Sequence, residues 1–490
     1  MSQVHESRPV LEKNMSPLSI WALAFGAIIG WGAFIMPGLR FLPGSGPIGA
    51  CIGFVCGGLL LMFIAVSYGK VVGLYPVAGG VFAFAYAAFG PGLAFVGGWA
   101  LLLGYLCIIA LNGTAIVLLT RFLIPGVLEL GYMYSIAEWK IYFGELLFLE
   151  AVLALFWYLN YRGADVVSKV QVVLAVILAI GVLALLVGAI VSPTSQWQNI
   201  EPWFAQDKSV IASIAAVTAI APWLFVGFDT IPQAAEEFNF SAKTGVRLML
   251  LSIVCGIVTY SIITLAVAAV IPYQELLALN PVWHTGYTVS LSLGKVGSIV
   301  LALAVLSAIL TGINGFFIAS SRLMFSMGRA HILPVWFSSL HKTHKTPHNA
   351  LNFTLVVVAI APFFGREVLS WVVDMSSIGT IVAYFFASAS AFVIMRKHED
   401  NCNISGILGC MASLVCLGLL TLPMSPACIG PESWHVLVAW FILGVFFYIV
   451  RYKAVHAISE EERTYMILGE SDLKEHIAQR AASKPDQLAA

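Results

Sequence analysis

An all-α integral membrane protein of about twelve spanning helices is predicted by three features: a hydrophobic composition, apolar runs of membrane-crossing length, and two interrupted runs that lie far apart in the chain. Of the 490 residues, 60% are hydrophobic and 10% charged, against roughly 25% charged in an ordinary soluble domain. Runs of about 20 apolar residues, enough to cross roughly 30 Å of hydrocarbon as helix, recur from near Ser16 to Tyr452.

Taken in order, the predicted spans are 17–41, 48–73, 81–119, 141–160, 166–191, 209–235, 247–271, 294–325, 350–364, 370–396, 404–424 and 433–452. The first is too long for a cleaved leader and is expected to stay in the membrane. Arg162, Lys169, Lys243, Arg247, Lys342 and Lys345 stand among thirteen basic residues that a cytoplasmic placement of both termini puts inside. Six others, Arg40, Arg121, Lys140, Lys208, Lys295 and Arg366, fall on the opposite side. Basic loops are retained in the cytoplasm, so this placement is the expected one. The tails, 1–16 and 453–490, are polar, and the second has the pattern of a short amphipathic helix after Ser459. The eight cysteines show no CxxC pairing or secreted-domain framework and read as small core hydrophobes.

The two interruptions carry the functional reading. "FGAIIGWGAFIMPG", Phe25 to Gly38, places four glycines and a proline inside span 1; "PWLFVGFDTIPQAAEEFNFS", Pro222 to Ser241, places Gly227, Asp229 and Pro232 inside span 6. If spans 1–5 (17–191) and 6–10 (209–396) are two copies, an odd number of crossings per copy inverts one relative to the other. Helices broken at corresponding positions then point to a transporter's binding site. In hydrocarbon, irregular backbone survives only where it faces protein or a polar cavity, and it leaves donors and acceptors for a ligand. The start of the outer half of span 1, at Gly30, Trp31 and Gly32, would offer N–H groups and a positive dipole end to a carboxylate. The first half of span 6 would end in carbonyls at Phe225 and Val226, suited to an ammonium. The competing reading is close helix packing through the Gly26/Gly30 GxxxG pair.

With these residues in view, the chain resembles the amino acid-polyamine-organocation transporter superfamily, and within it the bacterial cationic-amino-acid-transporter-like members. The likeness is carried by "GAIIGWGAF" in span 1, "YPVAGGVFAFA" from Tyr75, "FVGFDTIPQAAEEFNFSAK" in span 6, "SSRLMFSMGRAHILP" at the end of span 8 and "SIGTIVAYFFASASAFVIMRK" in span 10. It implies a leucine-transporter-like fold of five plus five inverted helices over 17–396. Helices 11 and 12 follow at 404–452, helices 1 and 6 are discontinuous, and a bacterial inner membrane is the expected location. It implies carriage of an amino acid or related amine by alternating access, driven by protons or by exchange. It places a backbone site on Ala27, Ile28, Ile29, Gly30, Trp31, Gly32 and Ala33, and on Phe225, Val226, Gly227 and Asp229. Trp223 matches an aromatic that closes over substrate, and Phe316 matches a second pocket aromatic. Where several proton-coupled relatives carry a lysine in span 5, Leu178 is the matching position here. Sodium is the other cation suited to that region, with Ser307 and Thr311 as candidate ligands.

Asp229 is the leading single candidate, because an ionisable group near the midplane is costly and usually faces a polar pathway. Three roles are open to it: capping or conformational support of the inner half of span 6, carrying a proton, and touching substrate. Glu236 and Glu237 precede a cytoplasmic loop with Lys243 and Arg247. They read as an inner gate or a solvated helix end, with Arg322 and Arg329 as possible partners. Glu150 and Asp374 are assigned to polar packing or the outer vestibule. His331, His341, His344 and His348 lack a tetrahedral metal spacing and read as a basic loop at the lipid head groups. "GSGPIG", 44–49, has no preceding strand and fails as a dinucleotide motif. No Walker pattern, nucleophile elbow or HExxH is present, so no cofactor, nucleic-acid or enzymatic role is expected. A channel, which needs a continuous polar pore, is the alternative.

Overall fold

The computed structural model describes residues 8–469, apart from 137–138, 282, 366–367, 400–402, 424 and 426–427. The outer parts of both predicted tails, 1–7 and 470–490, and Cys402 therefore lie outside the described residues. Among the described residues, ten helical stretches are long and apolar enough to cross a membrane.

Helix starts follow local chemistry. Ser16 accepts a hydrogen bond from the Ser19 N–H, with Pro17 at the first helical position, and opens α1, Pro17–Ile28. The chain continues as α2, Gly32–Met36, and α3, Leu42–Ser45, and turns at Gly46 into α4, Pro47–Leu74. The predicted third span, 81–119, is two helices: α5, Val81–Phe89, and α6, Pro91–Leu123. Gly90 and Pro91 end one helix and begin the next, an effect that hydropathy alone does not register. Among the described residues, the predicted all-α class has one exception. Residues rich in Tyr, Ile and Trp form a hairpin, β1 Tyr132–Ile136 with β2 Trp139–Tyr142, paired antiparallel.

Next come α7, Phe143–Arg162, and α8, Ala164–Val191. The predicted sixth span is three short pieces: α9 Val210–Thr218, α10 Ala221–Leu224 and α11 Thr230–Gln233. Then follow α12 Ala242–Val270, α13 Tyr273–Leu279 and α14 His284–Arg329, which bends at Gly294. The ninth run, His348–Phe364, is α15, His348–Val358, continued by a 3-10 turn at Ala361–Phe364. The chain is completed by α16 Val368–Glu399, α17 Ile404–Thr421, α18 Pro431–Ala457 and α19 Glu460–Leu468, the last capped by Ser459.

The interior is built around α14, which packs on α8, α6 and α1, while α16 packs on α6 and α17. The outward faces of α8 and α18 carry exposed Val, Ile, Leu and Phe, as helices facing lipid do. "GSGPIG" is the turn between α3 and α4. The described cysteines are all unpaired.

Candidate functional site

In the first interrupted run, the Ile29 N–H still reaches the Phe25 carbonyl at 2.9 Å, but Ile29 then leaves helical geometry at φ −90°, ψ 72°. Hydrogen bonding resumes when the Ala33 N–H meets the Gly30 carbonyl and the Phe34 N–H meets the Trp31 carbonyl. Among the described residues, the N–H groups of Gly30, Trp31 and Gly32 donate to no protein acceptor. Ala27, Ile28, Ile29, Trp31, Gly32 and Ala33 are buried, and Gly30 alone between 22 and 34 keeps partial exposure.

In the second interrupted run, the Phe225 N–H closes α10 on the Ala221 carbonyl at 3.0 Å. Gly227 follows at φ +131°, a region that favours glycine. Its N–H donates to Asp229 Oδ1 at 2.8 Å, and its carbonyl accepts from the Thr230 hydroxyl at 2.6 Å. Among the described residues, the carbonyls of Phe225 and Val226 accept no hydrogen bond. The two segments touch here: a Cβ at Gly227 would stand 2.7 Å from the Ile28 nitrogen and 2.8 Å from the Ala27 carbonyl carbon. The Tyr260 hydroxyl of α12 spans both, 3.0 Å from the Ile28 carbonyl and 2.9 Å from that of Leu224.

Side chains wall the junction. The Trp223 indole lies so close over the start of α2 that a Cβ at Gly32 would meet its Cη2 at 2.8 Å. Phe316 on α14 is fully buried, with its ring centroid 5.4 Å from that of Tyr105 on α6. Asn112, also on α6, donates its Nδ2 to the Ile108 carbonyl at 2.9 Å. Its Oδ1 is buried without a partner and would stand 3.5 Å from a Cβ at Gly30.

Asp229 is fully buried. Its carboxylate accepts from the Tyr105 hydroxyl at 2.6 Å, the Tyr384 hydroxyl of α16 at 3.2 Å and the Gly227 N–H. It does not cap α11, because its side chain makes no bond to the first N–H groups of that helix. The capping role is thus corrected, while conformational support stays open: the donors that hold this carboxylate lie behind it in the chain and on α6 and α16. Tyr68 of α4, whose hydroxyl is buried without a partner, packs edge-on against Tyr384 and Phe228.

At the other end of the second segment, Arg322 grips Glu237 through two bonds of 2.7 and 3.1 Å, and Arg329 holds Glu236 at 3.0 Å. All four side chains are buried, so the reading as a solvated helix end gives way to two desolvated ion pairs. Breaking such a pair by removing one partner costs about 3–5 kcal/mol.

Ser307 and Thr311 are both buried on α14. The Thr311 hydroxyl donates to the Gly26 carbonyl at 3.0 Å, tying α14 to α1. From α8 it is Gln171, about two turns from the buried Leu178, that reaches this region. Its Nε2 donates to the carbonyls of Ala22 at 3.2 Å and Thr311 at 3.3 Å. Its Oε1 accepts from Asn314, whose own Oδ1 accepts from Asn160. Of the outlying acids, Asp374 accepts from Ser433 on α18 at 2.8 Å, and Glu150 keeps one oxygen without a partner. His341 stacks on His344 with centroids 4.9 Å apart and meets His348 edge-on at 5.8 Å. No cluster of three or more metal-binding side chains occurs among the described residues.

Tyr105, Tyr384, Tyr260, Asn112 and Gln171 are absent from the sequence-derived candidates. Each is a polar residue within a long apolar helix, and that isolation is the signal that could have marked it.

Comparison with known proteins shows the family. The family model described as "Amino acid permease" matches residues 15–454. A branched-chain amino acid permease, BcaP, of Bacillus subtilis is 26% identical over 481 residues, covering 91% of this chain and 94% of its own. A methylthioribose transporter of the same organism is 26% identical over 471 residues, covering 91% and 95%. The vacuolar cationic amino acid transporter 4 of Arabidopsis thaliana is 25% identical over 423 residues, covering 81% and 65%. The match to the family model runs through nearly every membrane helix and both interrupted segments, and on it the chain belongs to the amino acid permease family of membrane transporters, which are not enzymes.

Proposed function

We propose that the chain is a secondary transporter that carries a neutral amino acid by alternating access, with the substrate held where the two interrupted segments meet. The contact of Gly227 with Ala27 and Ile28 carries this reading, since it brings unpaired donors of one segment beside unpaired acceptors of the other. The substrate carboxylate takes the N–H groups of Gly30, Trp31 and Gly32. Its ammonium takes the carbonyls of Phe225 and Val226 together with Asn112 Oδ1. Trp223 covers the site from the outer side, and Phe316 walls the side-chain pocket. A neutral side chain is favoured because the nearby acid, Asp229, already has three donors. A branched-chain amino acid is a suitable first probe, given the name of one relative.

In this reading the chain crosses the membrane twelve times, with discontinuous helices 1 and 6 at the centre of an inverted repeat. Both termini are cytoplasmic, in a bacterial inner membrane. The bonds from Arg8 to the Met466 and Ile467 carbonyls support the shared side, since they bring both ends of the described chain to one face. The Glu236–Arg329 and Glu237–Arg322 pairs form the inner gate, and the conformation is closed on that side. Transport runs by exchange. The Gln171 amide bridges the Ala22 and Thr311 carbonyls with neutral donors, which leaves less need for a sodium ion at Ser307 and Thr311. Proton coupling through Asp229 is the second reading, favoured by its full burial.

The test is uptake of labelled leucine into liposomes holding the purified chain. Saturable uptake that rises with leucine inside, and that is indifferent to sodium, is expected. A requirement for sodium would overturn the coupling; ionic current without saturation would overturn the carrier in favour of a channel. An uptake component driven by a pH gradient and lost in Asp229→Asn would establish the second reading.

A further inference from the structure

The C-terminal helix α19 shares its polar anchors with the inner gate. Its last carbonyls, on Met466 and Ile467, have no partners further along the helix, as at any helix end. Here they are met by guanidinium groups. Arg8 donates to Met466 at 3.1 Å and to Ile467 at 3.3 Å, and Arg329 donates to Ile467 at 3.5 Å. Both arginines also face Glu236, at 3.5 Å from Arg8 and 3.0 Å from Arg329. Two cations therefore serve one carboxylate and the negative end of one helix at the same time.

The remaining anchors of α19 lie on other elements. Thr464 meets the Tyr86 hydroxyl of α5 at 3.3 Å, and Ile467 is fully buried. Arg463 donates to the Val455 and Ile458 carbonyls, which fixes α19 to the end of α18. Arg8 belongs to the segment that leads into α1. That segment is stitched to the gate: the Leu11 N–H donates to Glu236, the Met15 N–H to the Glu237 carbonyl at 3.0 Å, and the Asn239 N–H to the Met15 carbonyl at 3.2 Å. The helix thus ties α5 and α14 to the lead of α1.

We infer that α19 is a latch on the inner gate, so that inward opening requires α19 to release Arg8. The inference rests on the reading of this end as the inner gate, and it assigns the C-terminal helix a restraining role in the transport cycle. Undocking α19 raises the population of inner-open molecules and speeds exchange. The full chain, the variant Ile467→Asp and a chain ending at Ser459 are compared by hydrogen–deuterium exchange of the amides of Leu11, Met15, Ala78 and Asn239. Ile467→Asp keeps every gate residue and the chain length, so it stands if the shortened chain fails to fold. About tenfold to a hundredfold faster exchange at these amides is expected, the shift that follows loss of a charge-assisted bond made only in the closed state. The amides inside α4 and α12 should keep their rates. Unchanged exchange at Leu11 and Met15 in folded Ile467→Asp would overturn the latch, and so would faster exchange spread evenly over the whole chain. This readout needs no substrate, so its failure is distinct from a failure to transport.

Discussion

The centre of the molecule and the end proposed as its inner gate handle buried polarity in different ways. At the inner end, Glu236, Glu237, Arg322 and Arg329 are buried with opposite charges in direct contact, and backbone N–H groups of Leu11 and Ala78 fill further lone pairs of Glu236. At the centre, the N–H groups of Gly30, Trp31 and Gly32, the carbonyls of Phe225 and Val226, and Asn112 Oδ1 are left without protein partners among the described residues. Each such group costs free energy when buried alone. The charges at the first end are matched, although Arg329 Nε and the Gln233 amide there keep no partner among the described residues; at the centre it is backbone donors and acceptors that stand unmatched, as the proposed amino acid site requires. Under the proposed function the contrast teaches that a gate is closed by pairing its charges and a ligand site is prepared by leaving backbone groups unmatched.

Removing one charge from the inner end is the largest perturbation of this contrast. Arg322→Met leaves Glu237 buried and unpaired and should cost about 3–5 kcal/mol, read as a fall in melting temperature. Adding Glu237→Gln should restore most of it, and no fall at all would mean that the pair is not desolvated. At the centre, Gly227→Ala meets both a positive φ and the 2.7 Å approach to the Ile28 nitrogen. Backbone strain and overpacking together predict a loss of about 2–4 kcal/mol, with leucine binding abolished. Asn112→Leu sharpens the comparison, since it removes an oxygen that has no protein partner. Leucine affinity should fall about tenfold or more while melting temperature holds or rises; a stability loss without an affinity change would make Asn112 structural. The smallest effect is expected for Tyr260→Phe. Losing the hydroxyl that spans Ile28 and Leu224 should cost about 0.5–1.5 kcal/mol, read in the same melting assay.

The parts of this arrangement that could be read in advance are those written into local sequence. Glycine and proline density marked Phe25–Gly38 and Pro222–Ser241, because such residues are costly in a helix unless the backbone must turn there. Glu236, Glu237, Arg322 and Arg329 stood out because charge is scarce in the chain, although their pairing came from the packing of α14 against the second segment. The residues that were missed share one cause. Tyr105, Asn112, Tyr260 and Tyr384 sit on helices that are apolar on every side, so no periodic stripe shows which face meets the junction. Gln171, which reaches α1 at the Ala22 carbonyl, was missed for the same reason: a helix's rotation about its axis is set by its neighbours. The hairpin at Tyr132–Tyr142 lies in a short loop where hydropathy carries little information about β pairing.

The claim that unpaired backbone groups at the junction hold the two ends of an amino acid is tested most directly by equilibrium binding of leucine, leucinamide and isopentylamine to the purified chain. Loss of the carboxylate's charge-assisted bonds predicts affinities at least about tenfold weaker for both analogues, with leucine protecting the Gly30–Gly32 amides from hydrogen exchange. Equal binding of all three, with those amides unprotected, would contradict it.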